Sequence, residues 1–264
     1  MEKIKVIVRK EWAEVFKNKM VIFTVAFLPL IMTAIPLIIL FSTRDIGTGG
    51  DLGTDVGQMV SSGLCLQDLN NSECFQVYLV SQFMMLFMLI PLAIPITIAA
   101  YSIVGEKNAR SLEPLLATPI TTFELLVGKS LAAVIPAIIA TYGSFIVFIA
   151  GVSLLIKSKA VLMAFMDLRW LVAIFIVGPL MAVLAVNLSL MVSSRVNDPR
   201  AAEQISMILI VPVLGLFFGQ MAGLFILNKQ IITIIAIILV AIDILVVYLA
   251  IHVFDREAIL TRWR

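Results

Sequence analysis

The sequence predicts an all-α polytopic membrane protein of six transmembrane helices, and three observations carry that prediction. The first is composition. Of 264 residues, 61% are hydrophobic and 14% charged, and the mean hydropathy is +1.10. A soluble chain carries about 45–50% apolar and about 25% charged residues, so no water-soluble fold hides this much apolar surface. The second is distribution, because the charges cluster between long uncharged stretches. The third is length. About 20 apolar residues at about 1.5 Å each cross a hydrocarbon core of about 30 Å, and six stretches reach that length.

The stretches are Val21–Phe41, Leu79–Val104, Leu131–Ile156, Trp170–Val192, Ile205–Leu227 and Ile231–Phe254. Each can keep its backbone hydrogen bonds internal, as lipid requires. The alternating blocks of about ten residues that mark an outer-membrane barrel are absent. The first stretch is too long and too late for a cleavable signal, and no small-residue cleavage site follows it. Only Asn228-Lys229-Gln230 separates the last two, so a tight hairpin or a re-entrant piece is expected there. The chain reads as one transmembrane domain, 1–264, with a cytoplasmic helix at 1–19, an external loop at 42–78 and a cytoplasmic loop at 105–124.

Lys and Arg orient it. With the N-terminus inside, fourteen of the nineteen fall on the cytoplasmic side, leaving Arg44, Lys157, Lys159, Arg169 and Lys229 outside. The positive-inside rule therefore places the N-terminus in the cytoplasm, and six spans return the C-terminus there. The net charge of +2 is too small to suggest nucleic acid, and no basic run is interleaved with aromatics. The bilayer itself is the first partner. Cys65 and Cys74, the only cysteines, both fall in the external loop, where an oxidising compartment would favour a bridge. Two free thiols are the alternative.

Before the first span, Ile4, Val8, Trp12, Val15 and Phe16 recur at helical spacing among Lys3, Lys5, Arg9, Lys10 and Lys17. That pattern predicts an amphipathic helix in the inner headgroup region, with Trp12 at the interface. The 105–124 loop is richer. Gly105 is expected to end the second span, and Leu112, Leu115 and Leu116 make one apolar face of a short helix. Thr118-Pro119 stops that helix; Thr121 or Thr122 can cap the next, with Glu124 in its first turn. A short amphipathic helix rimmed by Glu and Arg suits docking on a soluble partner. A structured loop without a partner fits the composition equally.

The stretch Gly105-Glu106-Lys107, Arg110, Leu112-Glu113-Pro114-Leu115-Leu116-Ala117-Thr118-Pro119 and then Gly128-Lys129 closely resembles the signature of ABC-2-type transporter permeases. The likeness extends over the whole chain: basic amphipathic start, six spans, motif between spans two and three, short tails. It implies a type V exporter-like permease fold in the cell membrane, driven by a separate ATP-binding subunit in two copies and paired with a second permease copy or homologue. ATP and Mg would sit on the ATPase, with no cofactor in this chain. The resemblance makes Glu106–Pro119 a coupling helix in a cleft of the ATPase and 1–19 a connecting helix. Glu106, Arg110 and Glu113 would make charged contacts there, Leu112, Leu115 and Leu116 its buried centre, and Thr118-Pro119 its end. The external loop is short beside the large outer domain that some members carry.

No catalytic site is expected. Gly128-Lys129-Ser130 imitates the end of a phosphate-binding loop, but Phe123 stands where glycine is needed and no strand precedes it. His252 is the only histidine, which excludes a multi-histidine metal site. Within the membrane, Asp243 is costly at about 2.5–3.5 kcal/mol, so it is either a pathway residue or a hydrogen-bonded structural acid. Gly215, Gly219 and Gly223 form a small-residue stripe suited to close helix packing. Pro91, Pro95, Pro136, Pro179 and Pro212 should kink spans two to five. The competing function is a self-contained secondary transporter or ion channel. Against it stand the lack of a clear internal repeat and of mid-membrane charges other than Asp243.

Overall fold

The computed structural model describes residues 2–43, 71–108, 121–156, 159–224 and 227–253. Among these the regular structure is entirely helical. An N-terminal helix, α1 (Glu2–Val15), precedes six helical runs long and apolar enough to cross a membrane: Val21–Thr43, Glu73–Glu106, Phe123–Leu155, Val161–Arg195, Pro199–Met221 and Lys229–Ile251. We number these spans one to six. Spans two and four pack most closely, span three lies against span two, and α1 and span one both lie along span three. The most apolar window of span two is 83% buried against 17% in spans one, five and six. Span two is therefore the axis of the bundle, and the other three leave most of their surface uncovered by the rest of this chain.

Several boundaries differ from those that hydropathy predicts, and charge pairing explains those between spans two and three. Span three begins at Phe123 rather than Leu131. Thr121 starts it with a capping box, its hydroxyl accepting from the Glu124 N–H while the Glu124 carboxylate accepts from the Thr121 N–H, which satisfies two otherwise orphaned donors. Glu124 and Lys129, which look like the end of a loop, are both paired (Lys3 to Glu124 at 3.6 Å). Gly105 does not end span two, whose helix continues to Asn108. The external loop is shorter than 42–78 because helix begins again at Asn71.

Span four is the least regular. Its run starts at Val161 rather than Trp170, breaks at Met166-Asp167, and passes through a π-helical turn at Ala173–Val177 before Gly178–Arg195. Asp167 restarts the helix by accepting from the Arg169 N–H at 3.0 Å. The π turn has an identifiable cause. Pro179 has no N–H for the Phe175 carbonyl, and that carbonyl accepts instead from the Tyr142 hydroxyl of span three at 3.3 Å.

Span five runs from Pro199 to Met221, not Ile205 to Leu227. It ends where Gly223, at φ +69°, lets the Leu224 N–H reach the Gly219 carbonyl and the Gly223 N–H the Gln220 carbonyl, both at 3.0 Å. That is a Schellman stop, which demands a left-handed residue. Gly223 terminates the helix, and within this one chain Gly215 is exposed, with nothing within 4 Å of a Cβ built there, while Gly219 is buried.

Candidate functional site: a buried ion cluster beneath the N-terminal helix

α1 and span three advance together. Lys3 meets Glu124, Ile7 meets Gly128, and Trp12 meets Ala132. The pairs climb by about one helical turn at a time, so α1 runs alongside the start of span three in the same direction. Farther along, Leu37 of span one presses on Gly151 of span three. Gly128 and Gly151 are the two notches that allow this approach. A Cβ at Gly128 would lie 2.7 Å from Ile7 Cγ2 and 2.9 Å from Ile7 Cβ, and one at Gly151 would lie 2.7 Å from both Leu37 methyls. Of the face expected to rest in headgroups, Val15 is buried, Ile4, Val8 and Trp12 are half-buried and Phe16 is exposed, and the fully buried stripe of α1 is Ile7, Glu11 and Val15.

A proline supplies the anchor for Trp12. In span three the Ala132 carbonyl would normally accept from residue 136, but Pro136 has no N–H. The Trp12 indole donates to that carbonyl instead, at 2.9 Å. The kink residue therefore creates the acceptor that locates α1.

At the centre lie four charged side chains. Glu11 of α1 is only 2% exposed, on the same face as Ile7 and Val15. The Lys129 ammonium donates to Glu11 at 2.7 Å and lies 2.8 Å from Glu106. Lys10 pairs with the other Glu106 oxygen. Ser102, one turn before Glu106 on span two, donates to Glu11 at 2.6 Å and accepts from Lys129 at 2.8 Å. Two acids face two bases, so the cluster is neutral overall. Burial alone would lower the pKa of Lys10, but its bond to Glu106 and the charges of Glu106, Glu11 and Glu14 outweigh burial and raise it. Lys10 is therefore cationic at any physiological pH. A buried ion pair adds little net stability against an apolar substitute, yet losing one member is costly. Such a cluster fixes geometry.

Its position matters most. Glu106 is in the last turns of span two, Lys129 in the first turns of span three, and the segment 109–120 joins them. α1 grips both flanks of that segment at once. Glu106, expected as an outward contact, is instead 2% exposed and held by Lys10 and Lys129. Arg110, Leu112, Glu113, Leu115, Leu116, Thr118 and Pro119 lie outside the described residues. Of the cysteines, Cys74 is buried at the start of span two and disulfide-bonded; Cys65 lies outside the described residues. Asp243 is 6% exposed, and neither carboxylate oxygen has a hydrogen-bond partner among the described residues.

Glu11, Lys129 and Trp12 were not singled out from sequence as one site. A signal was there: an acid in the apolar stripe of α1 and a base inside a long apolar helix each call for an opposite partner.

These features define a class, a multi-pass α-helical membrane protein whose N-terminal helix is bolted to the end of its second span and the start of its third. The family described as ABC-2 family transporter protein matches residues 5–254, and the chain belongs to that family. No curated protein matches it. Membership makes the chain an ABC transporter permease, the membrane subunit rather than the catalytic one, and implies an ATP-binding partner.

Proposed function

We propose that this permease is the transmembrane half of an exporter in the cell membrane, with both termini cytoplasmic. It works as a dimer of itself or with a homologue, on two separate ATPase subunits that hold ATP and Mg. The 105–124 loop is the coupling element, and 1–19 the connecting helix. One observation carries the reading: the buried cluster of Glu11, Lys129, Glu106 and Lys10 ties α1 to both flanks of that loop. A push on the loop is thereby delivered to spans two and three together, and through α1 to span one, rather than being absorbed by bending at one flank. Glu106 belongs to this transmission rather than to the ATPase contact. Asp243 is the pathway candidate within the membrane.

The experiment targets the loop's apolar centre, because interface energy concentrates in a few buried anchors. Leu115→Asp or Leu116→Asp would bury an unpaired charge, and should abolish co-purification of the ATPase and substrate-stimulated ATP hydrolysis while membrane insertion persists. Arg110→Ala on the rim should do less, with an effect that shrinks at high salt. Leu variants that keep full ATPase binding and coupled hydrolysis would remove the loop from the mechanism and reopen the secondary-transporter reading.

A further inference from the structure

We propose that an apolar cavity at the end of the bundle remote from the ion cluster is a binding site for one acyl chain of a membrane phospholipid. The cavity, about 70 Å³, lies between spans two, four, five and six, and no polar atom faces it. Its walls include Met88, Trp170, Val177, Val213, Leu227 and Ile235.

Depth in the bilayer follows from helix rise. Measured from the cluster end at about 1.5 Å per residue, Met88 lies roughly 27 Å from Glu106, Val213 roughly 21 Å from Pro199, and Ile235 roughly 24 Å from Ile251. A hydrocarbon core about 30 Å thick puts the cavity in the leaflet away from α1, just beneath the headgroups. Trp170 and Arg169 suit that level, with the guanidinium 5.9 Å from the indole centre. Tryptophan anchors at the interface, and Arg169, which also pairs with Asp167 at 3.7 Å, is the cation at this level. Beside the cavity, Phe218 of span five and Ile234 of span six are more than half exposed, which carries the apolar surface out to the surrounding lipid.

The occupant follows from what the walls accept and what the surroundings offer. Water needs two to four polar partners, and an apolar cavity provides none, so it stays dry. An empty cavity forfeits dispersion contacts along its whole lining. At this depth the abundant apolar matter is lipid chain, whose methylenes fill an irregular, Met-lined space.

The test uses Trp170 as reporter. The full chain is reconstituted in vesicles of phosphatidylcholine with dibrominated acyl chains, whose bromines quench tryptophan at contact, and compared with unbrominated vesicles. The Trp170→Phe variant gives the contribution of Trp12 and Trp263 for subtraction. Because Trp170 is only 3% exposed, lipid outside the bundle barely touches it. We expect about half of its emission to be quenched, falling about twofold or more in Val213→Phe and in Val177→Phe, where the ring excludes the chain from contact. Two filled variants are used so that misfolding of one leaves the other informative. Equal quenching in wild type and both filled variants would mean that chains reach Trp170 by another route. Absence of quenching in wild type would mean an empty cavity or a non-lipid occupant. Either result overturns the proposal, and neither bears on ATPase coupling.

Discussion

The two ends of this bundle solve opposite problems. At the α1 end, three buried charged side chains, a half-buried lysine, a serine and a half-buried indole are matched, and Ile7 packs directly onto Gly128. At the far end the packing is apolar, span four is broken and wound into a π turn, and a cavity separates four spans. Directional bonds specify one arrangement, because a buried charge has few acceptable partners. Apolar contacts tolerate several, since lost neighbours can be replaced by lipid of the same chemistry. Under the coupling proposed above, the tightly specified end would be the input and the apolar end the output.

Three substitutions would break or sharpen this contrast. Lys129→Met should be the most damaging, because it strips Glu11 of its only cationic contact among the described residues; losing one member of a buried pair costs about 3–5 kcal/mol. Thermal unfolding in detergent should show the loss, and adding Glu11→Leu should return most of it. If the double variant is no better than the single, the charges are not coupled as described.

Gly128→Ala should come next, at about 1–3 kcal/mol, as for other overpacked contacts. The added methyl meets Ile7 at its Cβ as well as its Cγ2, so Ile7→Ala should recover only part of the loss. Protease access to α1 before and after the rescue would read this directly. The third and smallest effect is at the other end. Val213→Phe adds far more volume than Gly128→Ala, yet it enters existing space and should shift unfolding by less than about 1 kcal/mol. A phenyl ring at Val213 that proved worse than a methyl at Gly128 would end the distinction between a tight and a loose end.

Much of the architecture was legible in the sequence because lipid imposes it. Six apolar runs have no alternative to helix in a bilayer, and Thr121 or Thr122 with Glu124 marked a helix start, though not that this helix runs unbroken into span three. Where hydropathy misplaced the boundaries between spans two and three, charge was the cause. Glu106, Glu124 and Lys129 read as loop because a hydropathy window sees single residues, whereas pairing with α1 makes them tolerable inside a long helix. Gly223 looked like a packing residue at a spacing of four, but the spacing cannot reveal that its backbone is left-handed.

The sequence by itself determined that this is a helical membrane permease, because burial of apolar runs and the motif from Gly105 to Lys129 are local properties. Only the tertiary structure decided that Glu11 pairs with Lys129 across 118 residues, that Pro136 frees a carbonyl for Trp12, and that Glu106 points inward. Those facts depend on which helices meet and in what register. No local pattern encodes a register between distant segments; it emerges when a glycine notch, an orphaned carbonyl and an unpaired charge are all satisfied by a single placement of α1.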